Sequence, residues 1–268
     1  MENKVCIIIP LYKKDFTEIE TISLNQFEKV LKKDKYNAII VCPKSLDLPL
    51  RIIDGKYNIQ RFENHFFENI MGYNKLLLSK KFYLRFRKYE YMLIHQLDAY
   101  VFKDELMHWC SKGYDYIGAP WFKNYVDGDH IRDIYKVGNG GFSLRKTKTF
   151  IDTFKQRNNY IRDLRDIIWE IRNKKFSLLK YFHGFNYQNK ILRTINKYIE
   201  LKKNEDAFWS IEGPKLNQKF NVAKMKDAIK FSFENSPELL FSENNNNLPF
   251  GCHKWEQYMH FWKNHIKK

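Results

Sequence analysis

Four short stretches hold the residues whose types and spacing suit chemistry. In Gln96-Leu97-Asp98-Ala99-Tyr100, Asp98 falls where an apolar, strand-like run ends. Ligands of open α/β sheets bind beyond the carboxyl ends of strands, and a lone carboxylate there is a reasonable ligand for a hard metal ion. Gln96 precedes it by two positions, so an extended backbone puts both side chains on one face. A strand-end Asp that caps a turn explains the residue equally well. Gly138, Gly140 and Gly141 form a glycine turn, which lets the backbone approach a ligand closely or adopt positive φ. The spacing lacks the last glycine of G-x-G-x-x-G, and no Gly-Lys-Ser/Thr follows, so neither phosphate-binding fingerprint is present. An ordinary tight turn is the plainer explanation. In Asn204-Glu205-Asp206, Asn204 suits a helix N-cap and the acids suit the first turn, and one carboxylate can instead act as general base toward a hydroxyl. His253 lies in Pro249-Phe250-Gly251-Cys252-His253-Lys254-Trp255 and is one of eight histidines.

The elements that must position these residues read as an α/β chain. Val5–Pro10 and Ala38–Cys42 are short apolar runs that end at or just before proline, as strands buried on both faces do. Between them, Thr17–Leu31 has helical spacing, which makes a βαβ unit. The pattern continues with a helix over Asn74–Phe86, a strand from Tyr91 to Ile94 running into Asp98, a shorter strand over Tyr114–Pro120, and an alternating strand after the glycine turn. From 146 to 203 the chain turns charged, basic and helical in rhythm. A short helix, the loop Asn244–Asn247 and Leu248–His253 follow. The expectation is a single α/β domain over 1–268, with a mostly parallel central sheet flanked by helices. It divides into a half at 1–145, a basic helical insert at 146–203 and a C-terminal part at 204–268.

Composition bounds the rest. The 268 residues are enough for a continuous core, and 44% are hydrophobic. The formal net charge of +16 favours polyanions, acidic membrane surfaces or anionic substrates without choosing among them. None of the four cysteines forms a C-x-x-C pair, which argues against structural zinc, and Cys6 and Cys42 read as buried thiols in a reducing compartment. The longest N-terminal apolar run is too short for a signal-peptide core, and no run of about 20 apolar residues occurs. A cytoplasmic protein, peripheral at most on the inner membrane face, is expected.

Each of the four stretches is ambiguous alone, but their order is informative. A strand-end Asp, a glycine turn, an x-Glu-Asp and a late His follow one another as do the hallmarks of GT-A glycosyltransferases, and Asp98-Ala99-Tyr100-Val101 looks like the second half of a metal-binding Asp-x-Asp. Over nearly its whole length the chain also resembles a bacterial and fungal family of unknown function predicted to be glycosyltransferases. That resemblance rests on Ile9-Pro10-Leu11-Tyr12, Gly72-Tyr73-Asn74, Gln96-Leu97-Asp98-Ala99, the stretch from Tyr114 to Trp121, the stretch from Gly138 to Arg145, Asn204-Glu205-Asp206 and the stretch from Leu248 to His253.

The resemblance implies a GT-A domain whose first half, 1–145, binds a nucleotide-sugar and whose last part, 204–268, serves the acceptor. Asp98 and His253 would hold Mn²⁺ or Mg²⁺. Pro10, Leu11, Tyr12, Asn74, Gln96, Gly140 and Gly141 would bind the donor, taken as UDP-linked. Asp206 would be the base of an inverting transfer, with Glu205 beside it. The acceptor would be a cell-surface glycan or a lipid-linked sugar. Gln96 departs from the pattern: it replaces the first acid of Asp-x-Asp and brings no charge. A retaining transfer and a basic nucleic-acid-binding protein are the alternatives; against the second, no nucleic-acid-binding signature is present, and no nucleic acid is expected as a partner. The span Ile151–Lys203 holds thirteen Lys and Arg against five acids, interleaved with aromatics and aliphatics. Either a pair of solvated helices or a basic amphipathic surface facing an anionic bilayer or a charged acceptor fits that pattern.

Overall fold

A computed structural model describes residues 4–31, 35–55, 57–122, 134–154 and 204–266. Its main sheet has six strands, in the order β3 (Asn58–Phe62), β2 (Asn37–Pro43), β1 (Val5–Pro10), β4 (Tyr91–His95), β9 (Phe142–Lys146) and β6 (Tyr116–Ile117). The first four are parallel to one another, and β9 runs antiparallel between β4 and β6. This is the mostly parallel α/β sheet that the apolar runs predict.

All six residues of β1 are buried. Their alternation divides the core into two faces. Ile7 and Ile9 pack with Leu24 and Phe27 of α1 (Glu18–Val30), while Cys6 and Ile8 face Leu76 and Leu77 of α3 (Ile70–Leu77), Phe82 and Tyr83 of α4 (Lys80–Arg85), and Trp209. The start of α1 is fixed by a capping box. Thr17 Oγ1 accepts from the Glu20 N–H, and Glu20 Oε2 accepts from the Thr17 N–H. The remaining helices of this half are α2 (Leu50–Asp54) and α5 (Leu106–Ser111). All four cysteines are buried and free.

Two small sheets flank the main one. In the first, β10 (Ser232–Phe233) runs parallel to β11 (Gly251–His253), which pairs antiparallel with β5 (Ala99–Val101). In the second, β7 (Ala119–Phe122) pairs antiparallel with β8 (Ile134–Gly138).

Three local expectations change. The helix expected over Asn74–Phe86 is two helices: α3 begins earlier, capped by Asn69, and ends at Leu77, and Ser79 caps α4 by accepting from the Phe82 N–H. The single strand expected over Tyr114–Pro120 breaks at Gly118 into β6 and β7, which belong to different sheets. At Gly118 the chain crosses Gly138 so closely that a Cβ would lie 1.7 Å from the Gly138 carbonyl oxygen. Third, β4 ends at His95 and the chain bends, with the Ala99 N–H donating to Gln96 O at 3.0 Å, so Gln96 and Asp98 are not on one extended strand. Of the span expected as a basic helical insert, residues 147–154 are helical, and residues 155–203 lie outside the described residues. Among the described residues no helix is long and apolar enough to cross a membrane.

Candidate active site

The strand order reverses direction between β1 and β4, since β2 and β3 extend to one side of β1 and β4 lies on the other. Such a switch point leaves a crevice beyond the carboxyl ends of the two strands. A cavity of about 530 Å³ opens there. Pro10, Leu11 and Tyr12 line it from the end of β1, and Gln96, Leu97 and Asp98 from the end of β4. Because β9 is antiparallel, its N-terminal end arrives at the same place and brings Gly140 and Gly141. Asn74, Glu205, Asp206 and His253 complete the wall, so all eleven residues singled out in the sequence meet in one cavity.

His253 sits at its centre. Nε2 lies 3.2 Å from Asp98 Oδ1 and 3.2 Å from Gln96 Oε1, and Nδ1 lies 3.1 Å from Glu234 Oε1. The bend after β4, rather than strand alternation, brings Gln96 and Asp98 to the same nitrogen. Burial opposes charge on the ring, but Asp98 and Glu234 outweigh it and push His253 up to about 9. The same pairing holds Asp98 and Glu234 below the usual carboxylate range against the pull of their own burial.

The glycine turn is shaped by close approach. A Cβ on Gly141 would lie 2.0 Å from His253 Nε2, and one on Gly140 would lie 2.3 Å from Glu205 Oε1. The positive φ expected of a glycine belongs instead to Asn139, at 77°. Asn139 Oδ1 accepts from the Gly141 N–H at 2.9 Å and the Phe142 N–H at 3.3 Å, a side-chain turn that suits a left-handed Asn.

The acidic pair divides its work. Arg145 and Glu205 form a two-pronged ion pair, Nη1 to Oε2 at 2.9 Å and Nη2 to Oε1 at 2.8 Å, with both side chains buried. Arg145 Nη1 also donates to the Tyr83 hydroxyl and Nε to Ser143 Oγ. Burial works against the guanidinium charge, and Glu205, Tyr83 and Tyr116 outweigh it, holding Arg145 well above its ordinary value. Asn204 precedes the helical turn Glu205–Ala207 but makes no side-chain cap. Its Oδ1 accepts from Asn74 Nδ2, and Asn74 Oδ1 in turn accepts from the Glu205 N–H. Asp206 Oδ1 accepts from the Ala207 N–H at 2.8 Å. The sequence leads to an Asp206 favoured in its charged form by a helix dipole. The helix continues without a break from Glu205 through Leu216, yet burial dominates and raises the Asp206 carboxyl.

Among the described residues no three of His, Cys, Asp and Glu gather into a metal-binding group. What converges is one carboxylate oxygen of Asp98, one amide oxygen of Gln96 and the imidazole Nε2 of His253, with the space beside Nε2 kept open by the missing Cβ of Gly141. A divalent ion held by one carboxylate plus oxygens of its substrate fits such an incomplete set.

Glu234 lies outside every stretch singled out in the sequence, and Lys254 and Arg145, although they fall within such stretches, have no role there. Arg145 left a signal: it follows Phe142, Ser143 and Leu144 in an alternating strand of the central sheet, where a charged residue demands a buried partner. Glu234 follows a strand of two residues and leaves none.

A mostly parallel sheet flanked by helices, with a cavity at its switch point, defines an α/β protein. Residues 56–253 match the model of a family described as proteins of unknown function, DUF5672, and the chain belongs to that family. No curated protein sequence matches the chain. Among solved structures it is similar to a glycosyltransferase involved in glycosylation of the major capsid of PBCV-1 (14% identity, 96% of this chain and 98% of that one, TM-score 0.42). It is also similar to the galactosyltransferase LgtC in complex with donor and acceptor sugar analogues (10% identity, 92% and 86%, TM-score 0.47). A third is the core-mannan synthase CmsA/Ktr4 of Aspergillus fumigatus in its Mn/GDP form (11% identity, 55% and 60%, TM-score 0.37). Overlaps this loose define neither the site nor its chemistry.

Two outcomes are expected. Arg145→Met leaves Glu205 buried without a partner and lowers stability by about 3–5 kcal/mol, and adding Glu205→Leu recovers most of that loss. Urea unfolding of the single and double variants measures both; equal stability of the wild type and the single variant would remove the clamp. Gly141→Ala displaces the His253 ring, so the His253 imidazole resonances shift in a nuclear magnetic resonance spectrum while the circular dichroism spectrum stays that of the wild type.

Proposed function

We propose that the protein is a glycosyltransferase of the GT-A type, moving a sugar from a nucleoside-diphosphate donor to an acceptor hydroxyl. The observation that carries this reading is the convergence at the switch point of Asp98, Gln96 and His253 with a separate, half-buried carboxylate, Asp206, in one cavity. Sugar transfer needs both parts: a place for a charged leaving diphosphate and a base for the hydroxyl.

In this reading Pro10, Leu11 and Tyr12 hold the nucleotide, taken as UDP, with the half-exposed Tyr12 ring open to a base. Asn74, Gln96, Gly140 and Gly141 line the place of the ribose and sugar. Asp98 and Gln96, with His253 once its Nε2 proton is displaced, would hold Mn²⁺ or Mg²⁺, which would supply charge stabilisation to the departing diphosphate. Lys254, at the cavity wall beside them, adds a fixed positive charge. Asp206 takes the acceptor proton. Burial raises its carboxyl, and the Ala207 N–H restrains that rise. A base of higher pKa accepts a proton more readily once ionised, so burial serves the step. Glu205, tied by both oxygens to Arg145, holds the turn that carries Asp206 and does not exchange protons itself. Attack with Asp206 as base on the face away from the leaving group inverts the anomeric centre. The acceptor is a glycan or a lipid-linked sugar, and contact of the basic span 151–203 with an anionic membrane at the cytoplasmic face belongs to the same proposal.

The first test is thermal unfolding: a UDP-sugar with Mn²⁺ raises the melting temperature, and Asp98→Ala removes the metal-dependent part. Protection by oligonucleotides and none by nucleotide-sugars would favour a nucleic-acid-binding protein. The second test concerns the base. Asp206→Asn lowers turnover by roughly 10²- to 10⁴-fold while donor affinity holds. In the wild type, turnover falls as pH drops through the raised pKa of Asp206, because the protonated carboxyl cannot accept the proton. The acid limb of kcat therefore lies above pH ~4, the ordinary Asp value, and is missing in the Asn variant. An unchanged limb would assign it to another group.

A further inference from the structure

Glu234 touches two cavity residues at once. It follows β10, whose parallel register with β11 pairs Ser232 with Gly251 and Phe233 with Cys252, so the next position along each strand sets Glu234 opposite His253. The side chain is buried. A single oxygen, Oε1, lies 3.1 Å from His253 Nδ1 and 3.1 Å from Lys254 Nζ.

Reaching two successive residues with one oxygen is unusual. Neighbours on an extended strand point to opposite sides. Here Lys254 has φ 50° and ψ 38°, a left-handed conformation that few side chains other than Gly, Asn and Asp adopt. That bend directly after β11 returns the lysine side chain to the side of the histidine ring. The backbone strain at Lys254 and the position of Glu234 therefore belong to one device.

We propose that Glu234 is the positioning residue of this cavity, aiming Nε2 of His253 at Asp98 and Gln96 and holding the Lys254 ammonium away from Asp98. The inference rests on the reading of Asp98 and His253 as the cation-binding pair. With Glu234 in place, the bond at Nδ1 fixes which edge of the ring faces the 3.2 Å contacts with Asp98 and Gln96. Metal-binding histidines are commonly oriented by a carboxylate on the other ring nitrogen. Without Glu234 the ring loses that anchor. Lys254, whose charge already acts on Asp98 and Asp206, loses its partner and competes with a cation for Asp98.

The test is Mn²⁺ binding in the presence of UDP, followed by electron paramagnetic resonance, for the wild type, Glu234→Leu, Glu234→Gln and Glu234→Leu with Lys254→Met. The leucine variant is expected to bind Mn²⁺ about 10- to 100-fold more weakly. The glutamine variant keeps an oxygen for Nδ1–H and stays closer to the wild type, and removing the freed lysine restores part of the loss in the double variant. Should the leucine variant not fold, Glu234→Asp, which withdraws the oxygen by one methylene, carries the same expected loss. Wild-type affinity in the leucine or aspartate variant overturns the role of Glu234 and leaves the cation reading intact. A wild-type protein that binds no Mn²⁺ with UDP overturns the cation reading itself, and the role of Glu234 with it.

Discussion

The buried ion pair between Arg145 and Glu205 is the constraint on which the rest of the cavity depends. Arg145 sits on β9, between β4 and the edge strand β6, and Glu205 at the start of the helix that follows Asn204. Taking both charges out of water is costly, and only the two-pronged geometry with Tyr83 and Ser143 offsets that cost. The pair therefore fixes where the chain comes back to the sheet. Asp206 is the next residue, so its position follows from a contact it does not make. Gly140 is required by the same pair, since any side chain there would strike Glu205.

A second layer of pairing surrounds His253. Asp98, Gln96, Glu234 and Lys254 come from three different parts of the chain and meet through two strand pairings, β5 with β11 and β10 with β11. The cavity wall carries both signs, with Lys13 and Lys254 among the carboxylates. The chain carries a formal charge of +16, yet its cavity is lined with carboxylates, so the basic character of the whole does not describe the site. A pocket of mixed sign suits a ligand that brings both phosphate and hydroxyl groups more readily than a bare polyanion.

Much of this was legible before the fold was known. Burial on both faces of β1 and β2 follows from uninterrupted apolar runs, and the extent of α1 follows from the helical spacing over Thr17–Leu31. The cavity residues Asp98, Asp206 and His253 stand at strand or helix ends, where sequence pattern marks a boundary. Other features depend on tertiary contact and leave no local trace. Glu234 has meaning only because β10 lies beside β11. The break between α3 and α4 is set by Ser79 capping a new helix inside a stretch whose apolar spacing continues without interruption. The raised Asp206 carboxyl reverses the expectation from a helix dipole because burial of the site outweighs it.

The pairing of β5 with β11 also bears on how the molecule forms. Gln96 and His253, which meet at 3.2 Å, are 157 positions apart in the chain. The β1, β2 and β4 strands join through nearer crossovers and have their helices close at hand, whereas the strand that brings His253 must close a loop of most of the chain for the sake of three residues of ladder. Loop closure of that length is an entropic debt met before its contacts are gained. The sheet can thus assemble while the cavity is still incomplete, and the ability to bind would be the last property the folding chain acquires.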